Sequence, residues 1–188
     1  MNEITCSAQE ALQKLKDGNL LYLSADKSTG DISLSLREKT CAIGQAPYAI
    51  IITCSDSRVI PESIFSASIG DLFVIRVAGN VIDKHQLGSI EYAAEHLGAR
   101  LIVVMGHDHC GAVHAAINHE PQSHIKFITD EIRKAIGNEK DDYKASCLNV
   151  LHSIEVIEKS LDIRREEEHG LRVCGALYHL SDGRVEFI

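Results

Sequence analysis

Continuous apolar runs along the chain, rich in Ile and Val, alternate with segments whose apolar residues recur at helical spacing. Such runs, closed by polar residues, are typical of strands that are buried on both faces of a parallel sheet. We expect three such strands, at 48–54, 71–80 and 99–107. The segment 171–180, followed by the turn sequence SDGR and the short apolar stretch 185–188, predicts a further strand and a hairpin.

Helical spacing predicts helices before, between and after these strands. The first, over 7–24, begins with Ser7 and has Glu10 three residues later, which is the pattern of a capping box. The segment 86–98 places its apolar residues on one face and ends at Gly98. Further helices are expected at 33–43, 59–65, 122–137 and 145–166.

The alternation of strands and helices predicts an α/β fold, because strand, helix and strand in this order form right-handed βαβ units. We expect a mainly parallel central sheet flanked by helices, with about four parallel strands and an antiparallel strand at the C-terminal edge. The chain contains no internal repeat and no linker rich in Gly, Ser or Pro. A single domain over 1–188 is therefore expected, with an N-terminal helical arm at 1–44 and a catalytic α/β core at 45–188.

Composition and charge exclude several classes of partner. Lys and Arg number 19 against 27 Asp and Glu, for a net charge of −8, which argues against nucleic acid or an anionic membrane. The N-terminus has no basic stretch followed by an apolar one, and no apolar run reaches the roughly 18 residues of a membrane span. We expect a cytoplasmic protein. Its six cysteines are then expected to be buried or to bind metal rather than to form disulfides.

Polar residues that close two of the predicted strands indicate where the site lies, because sites in open α/β sheets lie beyond the carboxyl ends of the strands. The first strand ends in CSDSR, with Cys54, Asp56 and Arg58, and the third ends in GHDHC, with His107 and Cys110. Two thiols and one imidazole at one sheet edge would favour zinc. Structural zinc sites normally use four protein ligands, so three ligands indicate a fourth position held by water, as in catalytic sites.

These motifs resemble the signatures of the β-class carbonic anhydrases, C-x-D-S-R and H-x-x-C. The likeness extends in order and spacing to GDLFVIRVAGNVID, GSIEYAAEHLGARLIVVMGHDHCGAV and GALYHLSDGRVEFI, and covers most of 45–188. The resemblance implies that Cys54, His107 and Cys110 bind one zinc ion. It also implies reversible hydration of carbon dioxide to bicarbonate and a proton by zinc-bound hydroxide.

The resemblance further assigns residues around the metal. Asp56 would accept a proton or hydrogen bond from the reacting water, and Arg58 would hold Asp56 away from the zinc through a bidentate pair. In some family members this Asp moves onto the zinc, a state associated with a Trp before the first Cys. The present chain has no Trp, so we expect the open state near neutral pH. Asp108 and His109 are candidates for a proton relay, whereas His114 should lie on the following helix and point away from the metal.

The same resemblance predicts the substrate pocket and the assembly. Phe73 and Tyr92 would line an apolar pocket for carbon dioxide, with the partner subunit's Gln45 placing an amide near the substrate oxygens. The active unit would then be a homodimer or a dimer of dimers. The predicted helix 7–24 is a candidate for the arm that wraps the partner.

Two other functions fit the same site residues. Zinc-bound hydroxide could attack carbon disulfide or carbonyl sulfide, which would make the protein a hydrolase. A non-catalytic zinc-binding regulator would keep the fold, but it would not need the pair of Asp56 and Arg58. A dinucleotide-binding protein is poorly supported, because no G-x-G-x-x-G sequence follows the first strand.

Overall fold

A five-stranded sheet forms the centre of the protein, whose computed structural model describes residues 6–27, 29–118 and 123–188. The strand order is β2-β1-β3-β4-β5; the first four strands are parallel and β5 is antiparallel to β4. The sheet therefore confirms the predicted α/β class, including the antiparallel strand at the C-terminal edge. The strands are β1 (Ala49–Thr53), β2 (Leu72–Arg76), β3 (Leu101–His107), β4 (Arg172–Tyr178) and β5 (Val185–Phe187).

Position in the sheet explains the burial of each strand. Every residue of β1 and β3 is buried, because each of these strands has a neighbour on both sides. Strand β2 has β1 alone as a neighbour, and its residues are half-buried or exposed. The prediction extended β2 to residue 80, but the strand ends at Arg76. Gly79 and Asn80 adopt positive φ values of 69° and 46°, which an extended strand cannot accommodate.

Eight α-helices surround the sheet within the described ranges. The predicted helix at 145–166 is two helices, because the Ser160 hydroxyl accepts hydrogen bonds from the backbone N–H groups of Asp162 and Ile163 and begins a new helix there. Residues 119–122, where the preceding helix was predicted to begin, lie outside the described residues. The helices are α1 (Ala8–Ser24), α2 (Leu34–Ile43), α3 (Pro61–Ile64), α4 (Lys84–His96), α5 (Gly111–Ile117), α6 (Ile125–Ile136), α7 (Asp142–Glu158) and α8 (Leu161–Glu168).

The two faces of the sheet are covered by different helices. Helix α1 covers one face with its fully buried Ala11 and Leu15, while α4, α7 and α8 cover the other. Helix α1 begins at the predicted capping box of Ser7 and Glu10. Burying these apolar side chains stabilises the layered arrangement by about 25 cal/mol per Å² removed from water.

The predicted N-terminal arm consists of two parts with different packing. Helix α1 belongs to the core of its own chain: the Asn19 side chain donates hydrogen bonds to the carbonyls of Ile64 and Gly183. Helix α2, in contrast, has no buried residue. Among the described residues, no helix combines the length and apolar character needed to cross a membrane.

Candidate metal centre

The register of two neighbouring strands brings the site together. Thr53 at the end of β1 pairs with Met105 in β3, so the residues that follow both strands emerge at the same edge of the sheet. The Thr53 hydroxyl also donates a 2.8 Å hydrogen bond to the Met105 carbonyl, which ties the two strand ends together. Cys54 follows β1 directly, His107 is the last residue of β3, and Cys110 is the N-cap of α5.

Cys54, His107 and Cys110 offer three ligand atoms that all lie within 4.8 Å of one another. The two sulfur atoms are 4.0 Å apart, and the residues are 5%, 1% and 2% exposed. Two sulfurs bound to one tetrahedral zinc at about 2.3 Å each would lie about 3.8 Å apart. The cluster therefore has the donor atoms and the spacing to hold one zinc ion.

The orientation of the His107 ring also fits a metal ligand. Its Nδ1 lies 2.7 Å from the carbonyl oxygen of Asp108, so Nδ1 carries the proton and donates it. The buried Nε2 atom has no hydrogen-bond partner among the described residues. A backbone carbonyl that fixes the tautomer and leaves the other nitrogen free for the metal is the usual second contact of a ligating histidine.

Hydrogen bonds at the sulfur atoms favour ionisation of one thiol. A hydrogen bond between the two sulfur atoms lowers the pKa of Cys54 and raises the pKa of Cys110. The backbone N–H of Gly79 donates a second hydrogen bond, of 3.3 Å, to Cys54 Sγ. Metal ligation requires both thiols to be deprotonated, so binding of a cation would release protons.

Asp56 and Arg58 form a two-point contact beside the cluster. Arg58 Nε donates to Asp56 Oδ1 at 3.0 Å and Nη2 donates to Oδ2 at 2.8 Å. These hydrogen bonds hold the pKa of Asp56 well below its usual range. Asp56 Oδ2 lies 3.9 Å from His107 Nε2, so the carboxylate faces the ligand cluster while the guanidinium restrains it.

Sequence reasoning missed Arg76, the last residue of β2. Its Nε donates to the Cys54 carbonyl at 3.2 Å and its Nη2 donates to the Asp56 carbonyl at 2.7 Å. Arg76 thus fixes the backbone of the loop that carries one ligand and the acidic residue. The available signal was a polar or charged residue at the end of an apolar run, because that signal identified Cys54 and His107 on the other two strands.

Of the two residues between His107 and Cys110, one has its carboxylate bound elsewhere and the other is exposed. The Asp108 carboxylate accepts a 2.9 Å hydrogen bond from the Leu180 N–H and lies 3.7 Å from His179 Nδ1. His109 is exposed and has a positive φ of 50°. His114 lies one turn into α5, as predicted, and its exposed side chain contacts Asn118.

The three predicted pocket residues lie far from the cluster of their own chain. Phe73 pairs in register with Ile50, four residues before Cys54, which corresponds to about 13 Å along the strand. Tyr92 on α4 packs against Phe73 with ring centroids 6.4 Å apart and is 46% exposed. Gln45 is also exposed and precedes β1, at the opposite end of that strand from Cys54.

Comparisons with known proteins place this site in a family context. The family model described as carbonic anhydrase matches residues 49–185. A carbonic anhydrase from Mycolicibacterium smegmatis is 35% identical over 94% of this chain and 91% of its own length. Carbonic anhydrase 2 from Mycobacterium tuberculosis is 34% identical over 93% and 90%. A tetrameric β-carbonic anhydrase from Sordaria macrospora has a similar crystal structure, with a TM-score of 0.74, 26% identity and coverage of 82% and 87%.

Proposed function

We propose that the chain, which belongs to the β-class carbonic anhydrase family, interconverts carbon dioxide and water with bicarbonate and a proton at this site. The carbonate dehydratase activity of that family supports the proposal. The observation that carries it is the combination of three buried ligand atoms within 4.8 Å with an acidic side chain held beside them. A metal that served structure alone would not need that restrained carboxylate.

The zinc of this family would be held by Cys54, His107 and Cys110. When bound, zinc supplies Lewis acidity that brings the pKa of a coordinated water down to about 7. The chain provides two thiolates and one neutral imidazole for this purpose. The Asp108 carbonyl keeps the imidazole in the required tautomer by accepting its Nδ1–H.

Asp56 would orient the reacting water by accepting its hydrogen bond at a carboxylate oxygen. The low pKa of Asp56 keeps the carboxylate ionised at neutral pH, so it acts as an acceptor there. Arg58 holds both carboxylate oxygens and opposes movement of Asp56 into the ligand cluster. These contacts support the predicted open form of the site.

The substrate pocket would be completed by a second copy of the chain. Gln45, Phe73 and Tyr92 lie too far from the cluster of their own chain to contact a substrate there. Phe73 lies on the edge strand β2 and Tyr92 packs against it, while Gln45 is exposed before β1, so a second copy could approach these residues. We therefore assign them to the partner's site in a homodimer or in a dimer of dimers, the latter matching the tetrameric relative.

The arm that contacts the partner would be α2 rather than the buried face of α1. Ile43 at the end of α2 is 72% exposed, and Leu34 at its start is 61% exposed. Leu20 and Leu21 at the end of α1 add apolar surface that is not used within the chain. Exposed apolar groups of this size are typical of surfaces covered in an assembly.

Stopped-flow hydration of carbon dioxide with a pH indicator, combined with zinc quantification, tests the proposal. We expect one zinc per chain and hydration that rises toward alkaline pH. Parallel assays with carbon disulfide and carbonyl sulfide test the hydrolase alternative. Stoichiometric zinc without activity in any of these assays would favour the non-catalytic zinc-binding regulator. Hydrolysis of the sulfur compounds without hydration of carbon dioxide would favour the hydrolase.

A further inference from the structure

Helix α7 buries a polar stripe next to the metal centre. Ser146, Asn149 and Ser153 are spaced three and four residues apart, so they share one face of the helix, and each is at most 2% exposed. Burying polar side chains is unfavourable unless they form hydrogen bonds. A buried polar stripe on a helix that otherwise packs apolar residues on the sheet therefore indicates a specific role.

Two residues of the stripe bind successive backbone carbonyls. Asn149 Nδ2 donates to the carbonyl of Gly79 at 2.7 Å, and the Ser153 hydroxyl donates to the carbonyl of Asn80 at 3.0 Å. Gly79 and Asn80 are the two residues with positive φ in the turn that follows β2. Helix α7 thus holds a backbone conformation that non-glycine residues such as Asn80 rarely adopt.

The same turn contacts a metal ligand from its other side. The Gly79 N–H donates to Cys54 Sγ at 3.3 Å, while the Gly79 carbonyl accepts from Asn149. A Cβ built on Gly79 would lie 2.8 Å from Ile132 Cδ1 and 3.0 Å from Ala112 Cβ. Gly79 therefore has side chains packed against its Cα, a hydrogen bond to sulfur at its N–H and a hydrogen bond from Asn149 at its carbonyl.

We propose that Asn149 and Ser153 are positioning residues of the metal centre, which act through the Gly79–Asn80 turn on the sulfur of Cys54. An N–H donor at a ligating thiolate withdraws charge from the sulfur and fixes its direction, so it tunes both metal affinity and the charge that sulfur gives to the metal. This inference rests on the proposed function, since it takes Cys54 as a zinc ligand. Sequence reasoning did not identify either residue, because both lie far from the ligands along the chain.

A matched pair of serines tests the inference with the full chain. Ser153→Ala removes the hydroxyl that binds the Asn80 carbonyl, whereas Ser146→Ala makes the same change at a hydroxyl without a partner among the described residues. Asn149→Leu removes the shorter contact and keeps the branched shape of the side chain. Zinc affinity is measured by competition with a chromogenic chelator. The sulfur-to-metal charge-transfer band is measured after substitution with Co²⁺.

We expect Ser153→Ala and Asn149→Leu to weaken zinc binding about tenfold or more, with Ser146→Ala near the wild type. Loss of the N–H contact raises the energy of the sulfur lone pairs, so the cobalt charge-transfer band should shift to longer wavelength in the first two variants. Equal affinity and equal spectra for the two serine variants would overturn the inference. If Asn149→Leu does not fold, the serine pair decides the question.

The same experiment separates this inference from the proposed function. A wild-type protein that binds neither zinc nor Co²⁺ would contradict the metal centre itself. A wild-type protein that binds zinc and hydrates carbon dioxide, with variants that match it in affinity and spectrum, would contradict the positioning role alone.

Discussion

The two ends of strand β1 differ in how far the chain completes them. At the carboxyl end, Cys54 is buried, its sulfur shares a hydrogen bond with Cys110 and accepts one from the Gly79 N–H, and Arg76 donates to its carbonyl. Near the amino end, Gln45 is exposed, and Tyr92 on the adjacent helix is 46% exposed. The carboxyl end has its contacts within a single chain, whereas the amino end has side chains of predicted pocket residues exposed to solvent. The difference supports the proposal that the metal centre is built within one subunit and the substrate surface between two subunits.

Removal of a ligand should produce the largest effect. We expect Cys54→Ala to lose stoichiometric zinc and to reduce hydration to the uncatalysed rate, because two remaining ligands do not form a stable zinc site. Zinc quantification and stopped-flow assays measure both losses. Cys6→Ala is the matched control, since Cys6 is a free thiol that precedes α1 and lies outside the proposed site and α2. Full activity of Cys54→Ala would contradict the assignment of the site.

Loss of the carboxylate charge should have the next largest effect. Asp56→Asn keeps the shape of the side chain but weakens its acceptor function, so we expect kcat to fall by about 10²-fold or more with zinc retained. Asp182→Asn, the same change at an exposed position, serves as the control. Unchanged kcat with bound zinc would show that the acceptor role is wrong.

Complementation between subunits tests the outward-facing end. The double variant Gln45→Ala/Tyr92→Ala should retain zinc and lose most activity, because its altered residues serve the partner's site. Mixed with the inactive Cys54→Ala chain under conditions of subunit exchange, it should recover about a quarter of wild-type activity, since half of the sites in each heterodimer are intact. No recovery despite proven exchange would place all functional residues in one subunit's own site.

The acid dependence of stability provides a smaller test of the Asp56–Arg58 contact. A carboxyl whose folded-state pKa is lowered stabilises the protein above its unfolded pKa, and this contribution is lost as pH falls toward the folded value. Arg58→Ala should remove much of that contribution. The variant should therefore be less stable than the wild type at pH 7, and the difference should shrink in acid. The free energy of unfolding of both proteins is measured by denaturant titration across pH, in excess EDTA so that zinc does not contribute. A difference between the two proteins that stays constant with pH would contradict the stabilisation of ionised Asp56 by Arg58.

The smallest expected effect concerns the proposed relay. His109→Ala should lower turnover in weak buffer alone, with activity restored by added imidazole, because the exposed ring would transfer protons at the surface of the site. His114→Ala, a nearby exposed histidine that contacts Asn118, is the control. Equal turnover of both variants in weak buffer would exclude a relay through His109.

Most of the fold could be predicted from the sequence because its elements are specified locally. The apolar runs of β1 and β3 and the capping box at Ser7 each depend on a few adjacent residues. The predicted boundaries were wrong where residues that end or begin an element were overlooked. Gly79 and Asn80 ended β2 early, and Ser160 divided the last predicted helix in two.

The ligand set also followed from sequence order, because neighbouring parallel strands must deliver their carboxyl ends to one edge of the sheet. Cys54 and His107 could be paired on that basis from the sequence alone. The supporting contacts could not be paired in this way. Asn149 and Ser153 act through backbone carbonyls, and a carbonyl acceptor has no signature in the sequence.

The sequence by itself determined the type of most elements, the α/β class and the three candidate ligands, since these depend on residue type and short-range spacing. The tertiary structure decided the strand order, the contact of α7 with the turn at Gly79, and the distance of Phe73 and Tyr92 from Cys54. Those features arise from packing between segments that lie far apart along the chain. Their geometry depends on register and on the close approach of backbones, which residue patterns do not encode.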